Sequence, residues 1–213
     1  MSTLILWGAS GHGKVVLDVA RAVGGFNTIS FVDDAFEEAN GKFCDCQVFG
    51  AGHYLRLLMG QDCSRYLISI GQNKTRAACF QRALDYGLQP ATLIHPAAVI
   101  SASARLGDGT VIMARVVINA DAQVGRNCIV NTAAVVEHDC RIGDHVHLSP
   151  GALLAGGVTV HSFAHIGIGA IALPGVEIGA GAIVGGGAVV VDSVPAGVTV
   201  VGIPAKVLAG TRR

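Results

Sequence analysis

The chain is predicted to fold as an α/β half domain over residues 1–94, then a three-sided parallel β-coil over 95–194, with a C-terminal segment over 195–213. Two observations predict this. A short apolar run near the start ends in a glycine-rich turn and is followed by helical spacing. The second half repeats every six residues, and a period of six fits neither the 3.6 of a helix nor the 2 of an alternating strand.

Counting in sixes from Ile100 through Ile112, Val136 and Ile166 to Val190 meets sixteen positions, of which fifteen are Ile, Leu or Val and the other is Ala172. Four residues after each stands a small or slender side chain, from Ala104 and Thr110 to Ala188 and Val194, with no slip of register. Such regularity requires short straight segments joined by equivalent corners. Three segments close a triangular coil of about 18 residues, and successive coils stack at roughly the 4.8 Å spacing of paired strands. Glycines directly after the branched position, among them Gly107, Gly125, Gly143 and Gly167, are expected to relieve the backbone there.

In the first part, Leu4 to Trp7 reads as a buried strand, Gly8-Ala9-Ser10-Gly11-His12-Gly13 as a turn, and Lys14 to Val23 as a helix. Glycines between a strand and a helix let the backbone approach a phosphate, which the helix N-terminus attracts. A second strand, Thr28 to Val32, ends in Asp33 and Asp34, about where a ribose hydroxyl is gripped in dinucleotide folds. Tyr66 to Ile70 reads as a further strand and Lys74 to Tyr86 as a helix. A full dinucleotide fold needs two mononucleotide halves, and about 90 residues supply one, so a single nucleotide suits the site better than a nicotinamide cofactor. A purely structural glycine turn is the third reading.

Fifteen basic side chains balance fifteen acidic ones, which leaves no field to hold a nucleic acid or an anionic membrane. The stretch from His145 to Val176 has no Asp, Glu, Lys or Arg and is long enough to span a bilayer. It is rich in glycine, contains His145, His147, His161 and His165, and is better explained by the repeat. Met1 to Trp7 shows no basic region or cleavage site of a secretory leader, so a cytoplasmic protein with reduced cysteines is expected. Cys44 and Cys46 have no second pair at zinc-finger spacing, and no structural metal is expected.

Among the small and apolar positions of the repeat, Asn131, Glu137, His138, Asp139 and His147 stand out. An imidazole titrates near working pH and can take a proton as a general base, which selects His138. Asp139 or Glu137 can orient it, but neighbours in a strand face opposite ways, so a turn must bring the partner round. Cys128 and Cys140 fall on small corner positions and read as packing rather than nucleophiles. His147 and His165 are eighteen residues apart and should stack on successive coils.

The repeat resembles the hexapeptide-repeat acyltransferases, whose solenoid is left-handed and which are commonly trimers with acetyl-CoA in the groove between prisms. The whole chain resembles the sialic-acid O-acetyltransferase family, which includes the N-acetyltransferases of bacillosamine and perosamine biosynthesis. The resemblance rests on Gly8-Ala-Ser-Gly-His-Gly13, Asp33-Asp34, Ile70-Gly71-Gln-Asn73, Ile94-His-Pro96, Asn131-Thr132, Glu137-His-Asp139 and Gly202-Ile-Pro-Ala-Lys206. It implies a Rossmann-like half domain followed by a left-handed parallel β-helix. It further implies that His138 accepts the proton and that Asp139, a glutamate in some relatives, raises its basicity. His147 and the backbone of Ile168 and Gly186 are then acetyl-CoA contacts, and Ser10, Gly11, His12, Asp33, Asp34 and Gly71 nucleotide-sugar contacts. The activity so implied is direct N-acetylation, without an acyl-enzyme, of a 4-amino-4,6-dideoxy sugar on UDP, in a cytoplasmic homotrimer with active sites between subunits.

Sugar O-acetylation is an alternative. γ-Class carbonic anhydrases use the same prism to hold zinc through histidines, which makes a zinc lyase a rival reading. A non-catalytic repeat scaffold is a third. His95 is either a structural hinge, the favoured reading, or a substrate contact, and Lys206 either meets a coenzyme A phosphate or is solvated.

Overall fold

The computed structural model describes residues 3–36, 41–52, 55 and 64–208; Met1 and residues 209–213 of the C-terminal segment lie outside the described residues. The chain divides into two compact units, Met1–Leu93 and Ile94–Arg213.

The first unit centres on β1 (Thr3–Trp7), whose Leu4, Ile5 and Leu6 are fully buried, the pattern of a parallel strand covered on both faces. It is followed by α1 (Gly11–Val23), β2 (Thr28–Asp33), β3 (Gly41–Phe43), β4 (Cys46–Gly50), β5 (Ser64–Ile68), α2 (Asn73–Asp85) and β6 (Gln89–Pro90). The sheet order is β3-β4-β2-β1-β5-β6, with only the β3–β4 pair antiparallel. Helix α1 buries Val16, Leu17, Val19 and Ala20, and α2 buries Cys79, Phe80 and Ala83 together with Arg76.

Sequence patterning predicts three strands here, and six are present among the described residues. β3 and β6 are three and two residues long, too short to show a period. Cys44 and Asp45 have φ of 48° and 64° and form the two-residue turn of the β3–β4 hairpin, where paired left-handed residues match the strand twist. The CxC spacing is therefore a hairpin tip, held by an Arg21 guanidinium that donates to the Cys44 carbonyl at 3.1 Å. Helix α1 also starts three residues earlier than its spacing predicts, so Gly11, His12 and Gly13 are its first turn.

In the second unit, β7 to β23 are two-residue strands running from Leu93–Ile94 to Val189–Val190, continued by β24 (Thr199–Val201) and closed by the antiparallel β25 (Lys206–Val207). They form sheets of eight, six and five strands, the three walls of a prism. Pairing is offset by one coil throughout, as in the ladder Val117↔Val135↔Leu153↔Ile171↔Val189. The branched and small positions of the hexad meet inside as one continuous core, including Ile112, Val136, Ala152 and Ile166. Each fully buried branched side chain contributes roughly 1.5–3 kcal/mol.

The corners correct one expectation. The residue with left-handed φ is the third after the branched position: Asp121, Asn127, Asp139, His145 and Phe163 all take it, at 52° to 65°. The glycines directly after the branched position serve stacking instead, because the next coil's backbone lies against them. A Cβ on Gly143 would meet Ser162 N at 2.6 Å, and one on Gly125 would meet Asp144 N at 2.7 Å. The charge-free stretch 145–176 lies within this coil, and no helix among the described residues is long and apolar enough to cross a membrane.

Candidate active site

Strand β14 (Val135–Val136) runs into a corner whose two turn residues are His138 and Asp139, before β15 (Arg141–Ile142) starts the next wall. The left-handed φ of Asp139, 60°, swings its carboxylate back onto its neighbour, and the His138 Nδ1–H donates to Asp139 Oδ2 at 2.8 Å. Glu137 is the residue that does not do this; its Oε2 accepts from the His138 backbone N–H at 3.4 Å. The bond to Asp139 first, and the nearby carboxylate charges after it, raise the His138 pKa above its ordinary value. With Nδ1 committed as donor, Nε2 holds the lone pair. Both side chains are open to solvent, 63% and 66% exposed.

On another wall, His147 of β16 (His147–Leu148) is buried. Asn131 Oδ1 accepts from Thr132 N–H at 2.8 Å, so its Nδ2 is the atom that faces His147 Nε2 at 3.3 Å and donates to it. One coil on, His165 of β19 (His165–Ile166) stacks on His147 with ring centroids 4.7 Å apart, and its Nε2 shares a 2.8 Å hydrogen bond with Ser149 Oγ. Ile168 and Gly186 meet at the corner beyond: a Cβ on Gly186 would lie 3.1 Å from Ile168 Cγ2, and Gly187 N–H donates to the Ile168 carbonyl. The structure thus groups Ile168 with Gly186, and His138 with Asp139, but places the two groups on different edges of one prism.

In the first unit the glycines of the β1–α1 turn divide by purpose. Gly8, at φ 120°, leaves no room for a Cβ, which would meet Ile70 Cγ1 at 2.7 Å; a Cβ on Gly13 would meet the Gly8 carbonyl oxygen at 2.4 Å. These two let strand, turn and helix close on one another. A Cβ on Gly11 or Gly71 would meet nothing within 4 Å, so neither is glycine for the sake of its own chain's packing. Ser10 is the N-cap residue of α1 but makes no side-chain capping bond. The turn therefore presents helix N–H groups and an uncommitted hydroxyl beside glycine, the arrangement that suits an anion.

Around it, Asp33 Oδ2 accepts from Ala9 N–H at 2.8 Å and Oδ1 from Ala35 N–H at 2.9 Å. Asp34 forms a two-pronged ion pair with Arg82 at 2.8 and 3.0 Å, while the Arg82 guanidinium lies over the Trp7 ring. The buried Arg76 donates to the carbonyls of Ile70 and Gly71 and to Asn73 Oδ1. Burial first, and then the Arg76 charge, hold His12 down at about 4, so its imidazole is neutral at neutral pH.

Residues 3–83 match the PglD N-terminal domain, and residues 121–156 match the six-repeat bacterial transferase hexapeptide family. The crystal structure of PerB from Caulobacter crescentus, in complex with CoA and GDP-perosamine, is 42% identical, with 98% of each chain covered and a TM-score of 0.91. The chain belongs to the sialic-acid O-acetyltransferase family of hexapeptide-repeat acetyltransferases. The acetyltransferase domain of PglB from Neisseria gonorrhoeae FA1090, solved with acetyl coenzyme A, is 38% identical over 97% of this chain and 98% of that one, with a TM-score of 0.91. The UDP-N-acetylbacillosamine N-acetyltransferase of Bacillus subtilis (strain 168) is 42% identical over 115 residues. That match spans 53% of this chain and about half, 52%, of that relative's length.

For a member of this hexapeptide-repeat family, the first unit is the Rossmann-like part and the prism is the left-handed parallel β-helix. Cys128 and Cys140 are buried, and their thiols donate to carbonyls of Gly143 and Ala155. No group of three or more metal-ligating side chains occurs among the described residues. His95 Nδ1 accepts from Ala97 N–H, which closes a turn, and Lys206 lies exposed on β25. Sequence reasoning missed Arg76, Arg82 and Ser149 as supports of the site. Their only signal is spacing: Ser149 sits sixteen residues before His165, a diagonal step to the neighbouring coil.

Proposed function

We propose that the chain transfers the acetyl group of acetyl-CoA to the amino group of a 4-amino-4,6-dideoxy sugar carried on a nucleoside diphosphate, UDP in the first instance. The reading rests above all on the His138–Asp139 pair in a chain that is alike, end to end, to an enzyme solved with CoA and GDP-perosamine. His138 Nε2 takes the proton from the sugar amine as its nitrogen attacks the thioester carbonyl. The tetrahedral intermediate collapses, the C–S bond breaks, and coenzyme A leaves as its thiol. Asp139 holds the Nδ1–H and stabilises the imidazolium that forms. The helix N-terminus at Ser10-Gly11-His12, with Asp33, Asp34 and Gly71 around it, receives the nucleotide; His147, Ile168 and Gly186 receive the pantetheine arm.

A cytoplasmic homotrimer is the assembly that suits this chemistry. One prism carries the base on one edge and the acetyl-CoA contacts on another, and a threefold arrangement sets unlike edges against each other. The test is thiol release with acetyl-CoA across UDP- and GDP-linked amino sugars. A UDP- or GDP-linked 4-amino sugar should give turnover, and His138→Ala should reduce it by roughly 10² to 10⁴. An array with no thiol release, or a fully active His138→Ala, would overturn the proposal.

A further inference from the structure

The second residue after the branched position carries a side chain in fourteen of the sixteen hexads; the exceptions are Gly156 and Gly186. Each glycine stands one coil after a residue of the candidate site, Gly156 after His138 and Gly186 after Ile168. For Gly156 the corner itself gives no reason. Its φ is not in the left-handed region; that duty falls to Gly157, at 69°. Strands β14 and β17 (Leu153–Leu154) pair in register, so Gly156 comes directly beside the corner that holds the imidazole. A Cβ built there would lie 2.6 Å from both Cε1 and Nε2 of His138, and 3.3 Å from Cδ2.

From this we infer that Gly156 is the positioning residue of the base: the missing side chain is the seat that lets the His138 ring lie along the prism edge with Nδ1 on Asp139. The inference rests on the proposed role of His138. A methyl group at 156 would stand against the ring's outer edge, where Nε2 carries its lone pair, and the ring must swing away by about 1 Å, a displacement able to cost on the order of 10²-fold in rate. What moves is the end of a side chain, not backbone, so the fold tolerates the change. Gly→Ala at an allowed φ restricts the unfolded chain and leaves stability level or slightly higher.

The experiment compares Gly156→Ala with the unaltered chain in thermal unfolding, steady-state kinetics and pH–rate profile, with His138→Ala alongside. Expected are an unchanged or slightly raised Tm, a kcat lower by roughly 10²-fold, and a KM for acetyl-CoA within about threefold, a difference of under 1 kcal/mol. The acid limb of the profile should also move to lower pH, because the ring is drawn off Asp139 while Glu137, the other charge bearing on it, stays in place. A Gly156→Ala enzyme with normal kcat, or one whose acid limb does not move, overturns the inference while an inactive His138→Ala leaves the base assignment standing. A fully active His138→Ala removes both.

Discussion

The imidazole of His147 lies on that of His165, centroids 4.7 Å and planes 26° apart, because eighteen residues carry the chain once round the prism. His147 is thereby held between Asn131 on one coil and an aromatic surface on the next. His165→Ala removes the surface but leaves Asn131. An aromatic pair contributes roughly 0.5–1.5 kcal/mol, so the KM for acetyl-CoA should rise about two- to tenfold with kcat nearly unchanged. Equal losses in kcat and kcat/KM would count against a cofactor-side role.

Asp139→Asn should slow turnover by roughly tenfold or more, the order of one charge-assisted hydrogen bond. The sign of the pH effect follows from the raised His138 pKa. The base works when neutral, so a raised pKa places the acid limb of kcat/KM high, and loss of the carboxylate moves that limb to lower pH. Glu137→Gln should leave the rate near normal, since its carboxylate meets the His138 backbone rather than the ring.

His12 titrates near 4 in the folded chain and near 6.5 when unfolded, so between these values the unfolded state binds the extra proton. Stability is fully present above pH 6.5 and falls as the pH drops towards 4. Urea unfolding at several pH values should show this slope, up to about 3 kcal/mol in total, and His12→Gln should flatten it. An unchanged slope in the variant would place the acid sensitivity elsewhere.

Asp33 ties Ala9 and Ala35 by their backbone N–H groups, so its carboxylate shapes the glycine turn from behind. Asp33→Ala should weaken UDP or GDP binding, measured by calorimetry, by roughly 10-fold for the loss of such bonds. The helix content should not change.

In the coil, Ile166→Ala should cost about 2–5 kcal/mol through the cavity it leaves, and Ala152→Leu about 1–3 kcal/mol through overpacking. Both sites are essentially fully buried. Opposite changes in size both destabilise because branched and small positions interlock at fixed spacing.

The prism is legible in the sequence because its rule is local: every sixth residue faces inward at a fixed angle, so Ile100 through Val190 record the winding directly. The strand, glycine turn and helix over Leu4 to Val23 were legible for the same reason. His138 also stood out, being a titratable group among small ones.

Which carboxylate serves it was not legible, since Glu137 and Asp139 are equally near along the chain. The left-handed φ at 139 decides between them, and that conformation recurs at His145 and Phe163, so residue type does not announce it. The neutral His12 beside a buried Arg76 and the open seat at Gly156 likewise arise between segments distant in sequence. Periodicity records which way each residue faces relative to its own backbone. What faces it across the roughly 4.8 Å to the next coil is set only when the coils stack.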